Sequence, residues 1–182
     1  MLQRTLVTLA LAACGLGALA LSRPARHSGP TVAALDVVYD GQFAAEAQPG
    51  DSAFSREATR QLREALSGAR IALTDSAVGA TAVRDLGEPP LRCQESVRCL
   101  GEIGQQLRAR WVVAATLRKV SRLIWHYRTR VVDVERGTLA LDDEIELKGP
   151  LESTMTPGTR WLARRIASAV GGETTARAAP AH

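Results

Sequence analysis

Two stretches of alternation, residues 122–134 and 138–148, constrain this chain more than any other feature. In Ile124-Trp125-His126-Tyr127-Arg128-Thr129-Arg130-Val131 apolar and polar residues take turns. Leu139 to Leu147 does the same, with Asp142, Glu144 and Glu146 on the polar beat. A period of two belongs to a strand with one dry and one wet face. Glu135-Arg136-Gly137 joins the two runs, so they read as a hairpin. A two-residue Arg-Gly loop would set Arg130 opposite Asp143, inside an apolar face. A three-residue loop with Gly137 left-handed sets Trp125, Tyr127 and Val131 beside Leu147, Ile145 and Leu141, and Arg128 and Arg130 opposite Glu144 and Asp142. Opposite charges across a strand pair add about 0.2–1 kcal/mol each, and a one-residue slip exchanges the faces. The three-residue loop is therefore the predicted one.

The remaining core elements follow from composition and spacing. Val32 to Tyr39 is a Val- and Ala-rich strand interrupted by Asp36. Phe54, Ala58, Leu62 and Leu66 recur every four residues, which predicts an amphipathic helix over 54–67 with Gly68 as its stop. Arg70 to Thr74 reads as a short strand. A weak helix reaches Leu86, and Pro89-Pro90 then forces a loop. Val97, Leu100, Ile103 and Leu107 mark a helix over roughly 94–108. Trp111 to Leu117 is apolar throughout, like a buried strand. A last helix starts at Thr156 with Pro157 at its first position and ends at Gly171-Gly172. The expected fold is α/β (α+β): a mixed sheet of about five strands with a late antiparallel hairpin and three to four packing helices.

The amino terminus sets the compartment. Arg4 precedes an almost unbroken apolar run from Leu6 to Leu21, the form of an export signal. Ala18-Leu19-Ala20 is a cleavage site of the A-x-A kind, while Leu11-Ala12-Ala13-Cys14 resembles a lipobox that would lipidate Cys14. Retention as a short anchor is the third fate. The expected organisation is a leader over 1–20 (signal peptide, or lipoprotein or anchor leader) and a linker over 21–30. One α/β domain over 31–172 and a disordered tail over 173–182 follow. The expected location is periplasmic, or membrane-anchored facing the periplasm with the leader as tether.

The formal net charge of +4 is mild, and the basic residues interleave with acids. That pattern belongs to a solvated surface and argues against nucleic acid as a partner. Cys93 and Cys99 are predicted to form a disulfide, which oxidising compartments preserve. Both cannot lie in one regular helix, because six positions of rise exceed the Cα separation that a disulfide tolerates. Cys93 is accordingly expected in the loop before the helix.

Little in the sequence supports catalysis. There is no G-x-S-x-G, H-E-x-x-H or Gly-rich phosphate loop, and His126 is the sole histidine outside the linker and the final residue. It is expected to pair on a strand surface near Glu146. No cofactor and no metal site is expected. Asp36, Asp40 and Asp133 are the carboxylates a hydrolase would use. Trp125 and Tyr127 would have to line an open cleft in a small-ligand binder. Trp111, Trp125 and Trp161 fall on apolar positions and are expected in the core.

Four segments together carry a resemblance: A-A-L-D-V-V-Y-D (33–40), R-C-L-G-E-I-G-Q-Q-L-R-A-R-W-V-V (98–113), V-V-D-V-E-R-G-T-L (131–139) and W-L-A-R-R-I (161–166). They resemble a family of small exported proteobacterial proteins of unknown function. The architecture is similar to the TolB amino-terminal domain and the curli-secretion lipoprotein domain. Ala114-Ala115 departs from the pattern, in which Gly follows the apolar strand. The resemblance implies a non-catalytic accessory domain that binds a protein partner or envelope component. The expected partner surface is Arg118, Lys119, Arg122 and Ile124.

Overall fold

The structure, a computed structural model, describes residues 31–41 and 50–177, with side chains through Gly171. The leader with Cys14, the linker before Thr31 and residues 178–182 lie outside the described residues. The elements in chain order are β1 (Val32–Ala34), β2 (Val38–Asp40), α1 (Ala53–Gly68), α2 (Ser76–Asp85) and α3 (Pro90–Gln94). They continue with α4 (Val97–Gln106), β3 (Trp111–Lys119), β4 (Ile124–Asp133), β5 (Thr138–Lys148) and α5 (Leu151–Arg177). The expected mixed sheet of five strands with a late antiparallel hairpin is present. β1 and β2 both pair parallel with one side of β3, β4 pairs antiparallel with the other side, and β5 follows at the edge.

Side-chain alternation feeds two cores. Trp111, Val113, Ala115 and Leu117 of β3, with Trp125, Tyr127 and Val131 of β4, pack against Ala58, Leu62 and Leu66 of α1 and Met155, Leu162 and Ile166 of α5. On the opposite face Ala33, Leu35, Val112, Ala114 and Val132 meet α2, α3 and α4 through Ala82, Cys93, Cys99, Leu100 and Ile103. This second cover stops short. Beyond it the face carries Arg118, His126, Arg128 and Arg130 with Asp142 and Glu144.

The first strand is broken, and the break decides which way it faces. Ala34 lies beside Val113 and Val38 beside Thr116, so the strand spends one residue more than β3 over the interval. One surplus residue inverts the alternation. Val32 and Ala34 face the α1–α5 core, and after the break Val37 and Tyr39 face it too. An unbroken strand would have put Tyr39 on the side of Ala33 and Leu35.

The hairpin keeps the predicted register over most of its length. Ile124 lies opposite Lys148, Arg128 opposite Glu144, Arg130 opposite Asp142 and Val131 opposite Leu141. Nearer the turn it departs from the three-residue loop. Val132 pairs with Leu139 and Asp133 with Thr138, so Ala140 is surplus and the turn spans the four residues Val134 to Gly137. The Asp133 carboxylate accepts the Arg136 N–H at 2.9 Å and closes this longer turn, and β5 absorbs the slip. Gly137 is left-handed, with φ at 63°.

Other boundaries also shift for identifiable reasons. Gly68 is still helical, and the left-handed residue ending α1 is Arg70 at φ 63°. Ile71 N–H returns to Leu66 C=O at 3.2 Å, which brings Ile71 onto the core beside Leu66. The expected strand over 70–74 is reduced to one bridge between Val32 and Leu73. Pro90, read as part of a loop, instead opens α3, because a residue that lacks an N–H suits the first helical position. Cys93 therefore sits in a short helix, not a loop. The helix break at Ser96, whose hydroxyl caps α4 by accepting Cys99 N–H, brings the cysteine Cα atoms to 5.3 Å in the Cys93–Cys99 disulfide. At the far end α5 begins five residues before Thr156 and continues through Gly171-Gly172 to Arg177. Pro157 is thus inside the helix, where its missing N–H forfeits the bond to Ser153 on the solvent side.

Candidate functional site

The end of the sheet where β3 hands over to β4 concentrates most of the chemistry. Lys119, the last residue of β3, continues the inward series Trp111, Val113, Ala115 and Leu117. It is therefore buried, at 2% exposure, and does not belong to the surface it was expected to share with Arg118, Arg122 and Ile124. The alternation of β3 is the signal that places it. Its ammonium donates to Asp51 Oδ2 at 2.8 Å and lies 5.5 Å from the centre of the Trp125 ring. Tyr39 donates to the same carboxylate oxygen at 3.4 Å. Burial and the adjacent Asp51 charge push the Tyr39 phenol above its ordinary pKa. Tyr39 and Phe54 both contact Trp125, at ring-centre distances of 6.1 and 5.7 Å.

Above this ion pair lies a cleft of about 280 Å³. Phe54, Trp125 and Pro150 to Glu152 line it with Asp51 and Lys119, and Arg122 with Leu123 of the β3–β4 turn form the lip. The lip is held in shape by backbone bonds: Val120 N–H to Ile124 C=O at 2.9 Å and Gly149 N–H to Leu123 C=O at 2.8 Å. Its side chains remain outside the core, with Val120 43% and Leu123 59% exposed. Arg122 is exposed and Ile124 half-buried. Arg118 reaches Glu144 at 3.6 Å and lies 3.3 Å from His126 Nδ1 on the other face of the sheet.

The three aspartates of the hydrolase reading are not brought together. Asp40 is aligned with Arg118 and Asp133 with Trp111, seven positions apart along β3, or roughly 23 Å at strand rise. Asp36 is exposed, and its backbone carbonyl accepts a hydrogen bond from Gln94 Nε2 at 2.7 Å. Asp133 is 1% exposed and engaged by both terminal nitrogens of Arg110, one at 2.7 Å. Burial alone would raise its pKa. The Arg110 hydrogen bonds, the Arg136 N–H and the two guanidinium charges outweigh burial and hold the carboxyl below its ordinary value. A carboxylate fixed in this way orders a turn and is poorly suited to moving protons.

His126 lies opposite Glu146 as expected, yet its ring bonds Glu144 at 2.5 Å. Arg128 likewise reaches diagonally to Asp142, with two bonds of 2.6 Å, instead of straight across to Glu144. Tyr127 is fully buried and lines no cleft, and Trp125 is 2% exposed. Trp111 is in the core as expected, whereas Trp161 is 38% exposed on α5. Among the described residues no group of three His, Cys, Asp or Glu side chains could hold a metal ion, and no helix is long and apolar enough to cross a membrane.

No curated protein matches the sequence. Similar solved structures share the fold at low identity. The hypothetical protein CT253 from Chlamydia trachomatis is 14% identical over 79% of this chain and 99% of its own, with a TM-score of 0.54. Escherichia coli LpoB is 15% identical over 66% of this chain and 57% of its own, at 0.51. Lipoprotein GNA1162 from Neisseria meningitidis is 11% identical over 78% and 96%, also at 0.51. The fold is thus LpoB-like. Residues 30–166 match the family DUF3280, described as "Protein of unknown function (DUF2380)". That match spans most of the sequence, from the first core strand into the last helix, and the chain belongs to this family.

Proposed function

We propose that this protein is a non-catalytic accessory domain of the cell envelope that binds a protein partner through the β3–β4 lip. The observation that carries the reading is the pairing of exposed Val120 and Leu123 with Arg122 at the mouth of the Trp125 cleft. Binding energy at interfaces concentrates in a few anchors, Arg among the favoured types, and the apolar contacts around them exclude water. The apolar leader supports the envelope setting, and one fold relative is itself a lipoprotein. Arg118 and Ile124 flank the lip and belong to the same surface. Lys119 supports it from below through Asp51.

In-cell photocrosslinking tests this. A photoreactive residue at Leu123 is expected to give a discrete protein adduct that the same residue at Arg84 on α2 does not. Arg122→Glu should weaken that adduct without changing the melting temperature. Equal labelling from both positions would overturn the reading. Loss of a cellular phenotype on changing Asp36 alone, in a folded protein, would favour the hydrolase.

A further inference from the structure

Helix α5 turns an unneutralised cationic and aromatic strip to solvent. From Ser153 through Gly172 its sequence holds three arginines, Arg160, Arg164 and Arg165, and no acid. Arg160, Trp161 and Arg164 are exposed on neighbouring helical positions, one turn apart or less. Arg165 is spoken for. It donates to Asp143 at 2.7 Å, and its guanidinium sits 5.8 Å from the Trp161 ring centre, which holds the indole against the helix. Arg160 and Arg164 make no ion pair among the described residues. The adjoining helix differs, since Arg60 of α1 is shared between Glu57 and Glu64. On the open part of the sheet face Arg128 and Arg130 are likewise engaged, both on Asp142.

We infer that this strip of α5 docks on an anionic phospholipid surface. Two guanidinium groups with no ion pair among the described residues attract anionic headgroups, and an indole with an apolar body and a polar N–H suits the interface between headgroup and chain. Reach supports the same occupant. The nine residues 22–30 between the apolar leader and Thr31 span at most about 32 Å when fully extended. A chain held by its leader keeps Thr31, and with it the folded domain, within that distance of the bilayer. The strip is a different surface from the β3–β4 lip, and its role does not depend on the proposed partner.

The test uses the full chain with vesicles containing brominated acyl chains, of phosphatidylcholine alone or with phosphatidylglycerol added. Trp111 and Trp125 are 1% and 2% exposed, so quenching of tryptophan emission by the bilayer reports Trp161. The leader is common to every variant and cancels. The expected result is quenching with phosphatidylglycerol that high salt removes. Each arginine near such a surface is worth about 1 kcal/mol, so Arg160→Ala with Arg164→Ala should weaken contact roughly 25-fold. Trp161→Phe should abolish the quenching. Quenching that is equal in both lipids, or persists in the double variant, would overturn the inference. Quenching that survives in Trp161→Phe would do the same. Retention on immobilised polyglutamate with no quenching would assign the strip to an acidic protein instead.

Discussion

The β3–β4–β5 meander and the amino-terminal part from β1 to α4 are held together by different means. Each strand of the meander meets its neighbour within a short turn, and register is fixed by charges on one face and apolar residues on the other. Arg130 opposite Asp142 and Val131 opposite Leu141 express the same alternation. The amino-terminal part has shorter pieces joined at a distance: two three-residue strands, a five-residue helix and a disulfide. A repeating pattern specifies the first region. Particular contacts specify the second: Asp36 C=O with Gln94, Arg63 with the Ala34 and Thr74 carbonyls, and Cys93 with Cys99.

The largest effect should come from the seam between them. Arg110 precedes β3 and Asp133 ends β4, and breaking a buried pair by removing one partner costs about 3–5 kcal/mol. Asp133→Asn should lose that much in urea denaturation. The pair also has a pH signature. Because the folded carboxyl titrates below its unfolded value, its contribution is fully present above about pH 4 and is lost as pH falls further through the folded pKa. Acid unfolding of Asp133→Asn should consequently begin from a lower plateau and show a shallower loss below that pH. Identical acid limbs in the two proteins would disconnect Asp133 from the seam.

The second test is confined to the amino-terminal part. Cys93→Ser with Cys99→Ser opens a short loop and should cost about 2 kcal/mol on the chain-entropy estimate. If that region depends on point contacts, hydrogen exchange should rise in α3 and α4 and stay unchanged in β4 and β5. Uniform loosening would erase the contrast between the two regions.

Within the meander the effects should be smaller. Gly137→Val forces a β-branched residue to φ 63° and should cost on the order of 1–2 kcal/mol in a thermal melt. The smallest is the Arg128–Asp142 pair, for which a double-mutant cycle should return about 1 kcal/mol or less, since the arginine side chain is 40% exposed. A larger coupling would mean that charge, and not the apolar face, sets the register.

Legibility in the sequence follows the same division. The register that sets Arg128 and Arg130 opposite Glu144 and Asp142 can be read because alternation and charge agree, while the diagonal bond from Arg128 to Asp142 cannot. The burial of Lys119 was equally readable, since it continues the inward beat from Trp111, but a lysine after an apolar strand invites a surface reading. The contact of Tyr39 with Trp125 was not readable. It depends on the surplus residue between Ala34 and Val38, which no local pattern announces. Pro90 and Pro157 mislead in a related way, because proline restricts the backbone without saying whether a helix begins, continues or ends there. The β3–β4 lip could be placed at a chain reversal, but the ion pair beneath it joins residues 51 and 119 across the fold.

The position of β3 bears on the order in which the molecule can assemble. One of its flanks is filled by β4 from the next few residues, while the other waits for β1, separated from it by roughly eighty residues. In a chain where only the meander has formed, β3 is an open sheet edge, apolar on both faces from Trp111 to Ala115. Such an edge recruits other chains as readily as its own amino terminus. Arrival of β1 and β2 is then the step that protects the chain from its neighbours. Truncations that spare the meander but remove residues 32–40 are expected to yield aggregates in place of a smaller folded domain.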